Sequence, residues 1–195
     1  MIYLRYVAAE GASVCHEAEG RHCRELLEEG LLCEAGIRFA GETVAHNRWG
    51  KPCLSGRPGI HFNLSHCKGL AACIIGSSPV GIDAEYVRAY NPLAARRACT
   101  GEEIHGIETA TDPDRQFFRL WSLKECFVKA LGMGLAFPLK QAAFTLTGNE
   151  AVCPNQPGWT FALREDSGGF VLAACARAES ANDLLLSGGS HVGFH

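Results

Sequence analysis

The sequence lacks a large excess of either charge. Lys and Arg number 18 against 21 Asp and Glu, a formal net charge of −3. This argues against nucleic acid as the main partner, because phosphate neutralisation requires clustered cations. It leaves room for a local basic pocket that takes one small phosphorylated ligand. Long hydrophobic runs are also missing. The longest, LAACIIG and FVLAACA, fall well short of the roughly 20 residues that cross a bilayer as a helix. The opening MIYLRYVAAEGASV has no charged segment ahead of a long apolar run, so no signal peptide is expected. The chain has ten cysteines but no C-x-x-C pair, and eight histidines but neither H-x-H nor H-E-x-x-H. Zinc and iron–sulfur sites need such ligand spacing. Several cysteines sit in apolar segments, as in AACII and LAACA, where a thiol acts as a small hydrophobe. They read as reduced, buried thiols of a cytoplasmic protein, and a thiol-based redox function fails on the same spacing.

What remains is an ordinary apolar fraction of 47% in 195 residues, enough for one large domain or two small lobes with a real core. Residues 16–36 predict an amphipathic helix with Leu26, Leu27, Leu31 and Leu32 inward and Gly36 as its stop. Residues 48–58 are turn-rich and read as irregular. GIHFNLSH, GLAACIIG and PVGIDAE then read as three successive strands. Residues 92–100 and 113–131 are expected to be helical. After them come a strand at AAFTLT and a hairpin from GWTFALRED, through SGG, to FVLAACARAE. Leu70-Ala71-Ala72-Cys73 recurs as Leu172-Ala173-Ala174-Cys175, each inside a strand after a glycine turn. Four residues are a short echo, but they fit two similar lobes meeting at an interface, a preferred place for a ligand.

Two carboxylates, Asp83 and Glu85, stand two apart at the end of the GIDAE strand, and strand alternation sends both to one face. They read either as an exposed strand end or as a hard-oxygen pair suited to Mg²⁺. The stretch RLWSLKECFVKALGMGL interleaves Lys124, Glu125 and Lys129 with large apolar residues. Glu125 and Lys129 share a helix face at i,i+4, either as a surface ion pair or as part of a covered face also carrying Trp121 and Val128. On the second reading Glu125 adds a third carboxylate to Asp83 and Glu85, and Lys124 and Lys129 face phosphate. His66, beside Ser65, reads as a strand-end histidine or as a phosphate donor when protonated. Lys51, in GKP, is held in a turn.

The order GKP, FNLSH, GIDAE, then LWSLKECFVKALGMGL resembles the 4′-phosphopantetheinyl transferase superfamily, most closely its two-lobed, surfactin-synthetase-activating type. The resemblance spans roughly residues 48–145, and the two acidic motifs in this order and spacing are its specific part. It implies an α+β fold of two similar lobes related by a pseudo-twofold, each a small antiparallel sheet packed with helices, with the active site in the cleft between them. The expected division is 1–80, 81–181 and a loose tail at 182–195. The resemblance also implies transfer of the phosphopantetheine arm of coenzyme A (CoA) to a serine of an apo acyl or peptidyl carrier protein, by a monomer, with release of 3′,5′-ADP. It places Asp83, Glu85 and Glu125 on Mg²⁺ ligands, and Lys124 and Lys129 on phosphate contacts. Lys51, Ser65 and His66 fall at the nucleotide end of CoA, and Glu125 and Lys129 on the proton-transfer groups. Cys126 stands where Ala or Ser is usual. The first lobe is short, which leaves Arg21 or Arg24 as candidates for the CoA 3′-phosphate. A non-catalytic protein that keeps the fold and a CoA or nucleotide pocket is the alternative.

Overall fold

The computed structural model describes residues 1–7 and 16–177; the expected tail at 182–195 lies outside them. From the start of the chain come β1 (Ile2–Tyr6), α1 (His16–Ala35), the short pair β2 (Val44–His46) and β3 (Pro52–Leu54), then β4 (His61–Cys67) and β5 (Leu70–Gly76). The sequence of elements then repeats. It runs through β6 (Val80–Tyr86), three helices α2 (Pro92–Ala98), α3 (Gly101–Glu108) and α4 (Pro113–Leu131), the short pair β7 (Thr145–Thr147) and β8 (Glu150–Val152), then β9 (Trp159–Glu165) and β10 (Phe170–Arg177). The sheets repeat as well: β1-β5-β4 and β6-β10-β9, both antiparallel, each with its last strand in the middle.

The repeat extends to single bonds. Gly69 and Gly169 both adopt φ 87°, a backbone region that favours glycine, and their carbonyls accept from Val7 N and Val87 N at 2.9 Å. Register pairs Leu70 with Tyr6 and Phe170 with Tyr86, so Leu70 is the counterpart of Phe170. The LAAC echo therefore lies on the right two strands but two residues out of step.

Those strands are apolar on both faces because each is covered twice. In β5, Ala71, Cys73 and Ile75 pack with Leu26, Leu27 and Leu31 of α1, while Leu70, Ala72 and Ile74 face the other sheet. In β10, Val171, Ala173 and Cys175 pack with Phe117, Phe118, Leu123 and Phe127 of α4, while Leu172, Ala174 and Ala176 join Ile82 and Ala84 between the sheets. A strand buried on both sides loses polar alternation and reads as one hydrophobic run.

The structure corrects five sequence expectations. Leu32 is exposed, being on the outer side of α1. The 48–58 stretch contains β3, and AAFTLT shrinks to β7, whose partner β8 lacked a signal of its own. Helix α3 was missed, although Thr100 and Glu103 form a reciprocal capping box at its start. Among the cysteines, Cys33 and Cys53 are exposed rather than buried; every described cysteine is a free thiol.

Candidate active site

β6 is an edge strand of the second sheet, and side chains of the first half cap it. Asn63 Oδ1 accepts from the Ile82 N–H at 2.9 Å, and Ser65 Oγ accepts from the Ala84 N–H at 3.1 Å. On its other face β6 meets α4. A Cβ on Gly81 would lie 1.9 Å from the Cys126 carbonyl oxygen, so only glycine lets the helix lie so close. That approach sets Glu125 and Lys129, one turn apart on α4, over the carboxylates of β6.

Lys129 Nζ donates to Asp83 Oδ1 at 2.7 Å and to Ser65 Oγ at 3.0 Å. The second oxygen, Asp83 Oδ2, is buried with no hydrogen-bond partner. Burial raises the Glu125 pKa above the usual carboxylate range, and Asp83 and Glu85 push it further while Lys129 opposes them. Glu85 is likewise raised, first by burial and then by Asp83, although Arg88 pairs with it at 2.9 Å and lowers it. A cleft of about 390 Å³ opens beside the cluster, lined by Trp49, Lys51, Asn63, Glu125, Val128 and Lys129.

This set fits a hard divalent cation on its chemistry. Three carboxylates repel one another in a half-buried site, and one buried oxygen is left without a donor. Among the described residues no three His, Cys, Asp or Glu groups are drawn close enough to form a metal cage. Lys129 and Arg88 hold Asp83 and Glu85 instead.

The other expected site residues sort clearly. His66 is held by Glu19, with Nδ1 3.1 Å from the carboxylate. Lys51 lines the cleft, but its Nζ donates to the carbonyls of Val80 at 3.1 Å and Ala130 at 2.8 Å. Burial lowers its pKa to about 8. It ties the first half to the C-terminus of α4, where a cation also suits the helix dipole. Asn47 makes a parallel tie, its Nδ2 donating to the Gly132 carbonyl at 2.9 Å. Arg21 is exposed on α1.

Lys124 is the correction. It is fully buried on the opposite side of α4, 2.9 Å from Glu103 Oε1, and it donates to the carbonyls of Leu139 and Ala142. Residues 124 and 125 are consecutive on a helix, so their side chains diverge by about 100°, and only one can face the cleft. In this structure Lys124 is therefore turned away from the cleft and engaged by Glu103. Glu103 completes the network by accepting from Phe144 N and Thr100 N.

Sequence reasoning missed Asn63, Glu19, Arg88 and Glu103. Asn63 carried a signal, a lone amide between Phe62 and Leu64 in an apolar strand. Such a group must find a partner when buried.

The chain is also similar in sequence to known proteins. The sequence pattern of the 4′-phosphopantetheinyl transferase superfamily matches residues 79–175. A 4′-phosphopantetheinyl transferase of Bacillus subtilis is 34% identical over 144 residues, covering 68% of this chain and 63% of that protein. The 4′-phosphopantetheinyl transferase Sfp of Bacillus subtilis strain 168 is 32% identical over 152 residues, covering 74% of this chain and 65% of its own. The 4′-phosphopantetheinyl transferase HetI of Nostoc is 37% identical over 120 residues, covering 57% and 50%. The chain belongs to the 4′-phosphopantetheinyl transferase superfamily. It spans less than two thirds of the length of these relatives. No helix among the described residues is long and apolar enough to cross a membrane.

Proposed function

We propose that this protein moves the 4′-phosphopantetheine arm of CoA onto a serine of an apo acyl or peptidyl carrier protein, in a Mg²⁺-dependent reaction that releases 3′,5′-ADP. The observation that carries the reading is the buried, partnerless Asp83 Oδ2 beside Glu125 and Lys129 at the edge of the cleft. Asp83, Glu85 and Glu125 would hold the Mg²⁺. When bound, the metal supplies positive charge for the diphosphate oxygens.

The chain's own residues do the rest. Attack of the serine hydroxyl on the β-phosphate builds charge on the transferring and leaving oxygens, which positioning and fixed cations stabilise without a covalent intermediate. Lys129 Nζ, beside Asp83, is placed to give the leaving phosphate a cation or a proton. Glu125, made more basic by burial and by its neighbours, takes the serine proton. His66, oriented by Glu19, and Lys51 line the nucleotide end. Lys51 first has to release its two carbonyls if it is to touch the ligand. The protein acts as a monomer in the cytoplasm, with no role for nucleic acid or membrane.

The test is the intact mass of an apo carrier protein incubated with the chain, CoA and Mg²⁺, with an EDTA control. A gain of one phosphopantetheine that disappears with EDTA is expected. CoA binding without any gain, on acyl and peptidyl carriers alike, would replace this reading with that of a non-catalytic CoA-binding protein.

A further inference from the structure

Arg88 lies just past the end of β6, two residues from Tyr86, in the loop that leads to α2. Its Nη1 donates to Glu85 Oε2 at 2.9 Å and to the Tyr86 carbonyl at 2.9 Å. Its guanidinium carbon lies 4.6 Å from the centre of the Phe118 ring on α4. An arginine side chain that is 59% exposed would ordinarily wander, and an ion pair at such exposure is weak. Here the carbonyl and the ring fix the guanidinium in advance, so the pair with Glu85 loses little freedom on forming.

Glu85 and Asp83 are thereby unlike. Lys129 takes one oxygen of Asp83 and leaves the other, buried and without a partner, for a cation. Glu85 differs, because Arg88 already holds one of its oxygens with a full positive charge. A divalent ion at Glu85 would also face the guanidinium charge across a few ångströms of half-buried space, where repulsion is poorly screened.

We infer that Arg88 is a latch on Glu85. It holds this carboxylate in the metal-free protein and has to swing away before Asp83, Glu85 and Glu125 together take a divalent cation. The inference rests on the metal reading proposed above, and Arg88 is a positioning residue that acts through Glu85. Its exposure means that releasing it moves no packed element.

The test is Mn²⁺ binding to the full chain without CoA, read as loss of the free-Mn²⁺ electron paramagnetic resonance signal. It compares wild type, Arg88→Gln, Glu85→Gln and the double variant. Arg88→Gln is expected to bind Mn²⁺ about fivefold more tightly, the scale set by releasing one partly exposed ion pair. In the Glu85→Gln background the same change should do nothing. An Arg88→Gln protein that binds no more tightly than wild type overturns the latch and leaves the metal site standing. Equal tightening in the Glu85→Gln background marks a diffuse charge effect and overturns the latch as well. A Glu85→Gln protein that titrates like wild type, or a chain that binds no Mn²⁺ in any form, overturns the metal reading and the latch with it.

Discussion

Lys129 and Asp83 are joined at one oxygen only. Nζ sits 2.7 Å from Oδ1, while Oδ2 is buried and unmatched. The lysine makes the buried carboxylate tolerable without saturating it. Lys129→Ala leaves that charge without its cation, and a loss of about 1–3 kcal/mol in urea unfolding is expected. Asp83→Asn in the same background should recover most of it. A Lys129→Ala protein as stable as wild type would mean that the pair does not help hold α4 on β6.

Lys124 and Glu103 form a fully buried pair, so breaking it is costlier than removing it. Lys124→Met alone should lose about 3–5 kcal/mol, because Glu103 is left buried and uncompensated. The double change Lys124→Met with Glu103→Leu should be close to wild type in stability. Isothermal titration of the double variant with CoA should give the wild-type affinity. A folded double variant that no longer binds CoA would return Lys124 to the phosphate site.

Glu125 and Glu85 both have raised pKa values in the folded chain, first because of burial. The folded state thus binds their protons more tightly than the unfolded state does. Their contribution to stability is present below the ordinary glutamate value of about 4.3 and is lost as pH rises through the raised values. Glu125→Gln removes one such group. Its melting temperature should exceed that of wild type at neutral pH, with the gap closing as the pH falls below that window. A gap that widens on acidification would reverse the sign of this argument.

Gly81 has no room for a side chain. Gly81→Ala must push α4 away from β6, since the new Cβ would meet the Cys126 carbonyl and the Ala130 amide. Overpacking of this kind costs about 1–3 kcal/mol, and a chain of this size loses roughly 2–4 °C of melting temperature per kcal/mol. The same shift separates Glu125 from Asp83, so transfer activity should fall well below what the lost stability explains.

Much of this was legible in the chain because it depends on local periodicity. The strand alternation of GIDAE and the i,i+4 spacing of Glu125 and Lys129 each assign a face, and Lys129 of one meets Asp83 of the other. The central strands announced their double burial by losing polar alternation. What stayed hidden depends on partners distant in sequence. Lys124 and Glu125 are both charged, with opposite signs, inside one apolar segment, and nothing local says which of them turns inward; Glu103, on another helix, decides it. Lys51 in a turn could equally have pointed at a ligand, and the carbonyls of Val80 and Ala130 that hold it belong to the other half of the chain. Helix α3 was readable from the capping pair Thr100 and Glu103, but it is only eight residues long.

Main-chain ladders among the described residues close either before Ser77 or after it, and the joins across the middle are made by the side chains of Asn63, Ser65, Asn47, Lys51 and Tyr6. A break at the Ser77–Pro79 connection would therefore leave each fragment with a whole sheet, yet with one apolar face uncovered: Leu70, Ala72 and Ile74 on one, Ile82, Ala84 and Leu172 on the other. Such fragments are suited to complementation. Because Ser65 travels with the first and Asp83 with the second, recovered transfer activity would report that the two had found each other again.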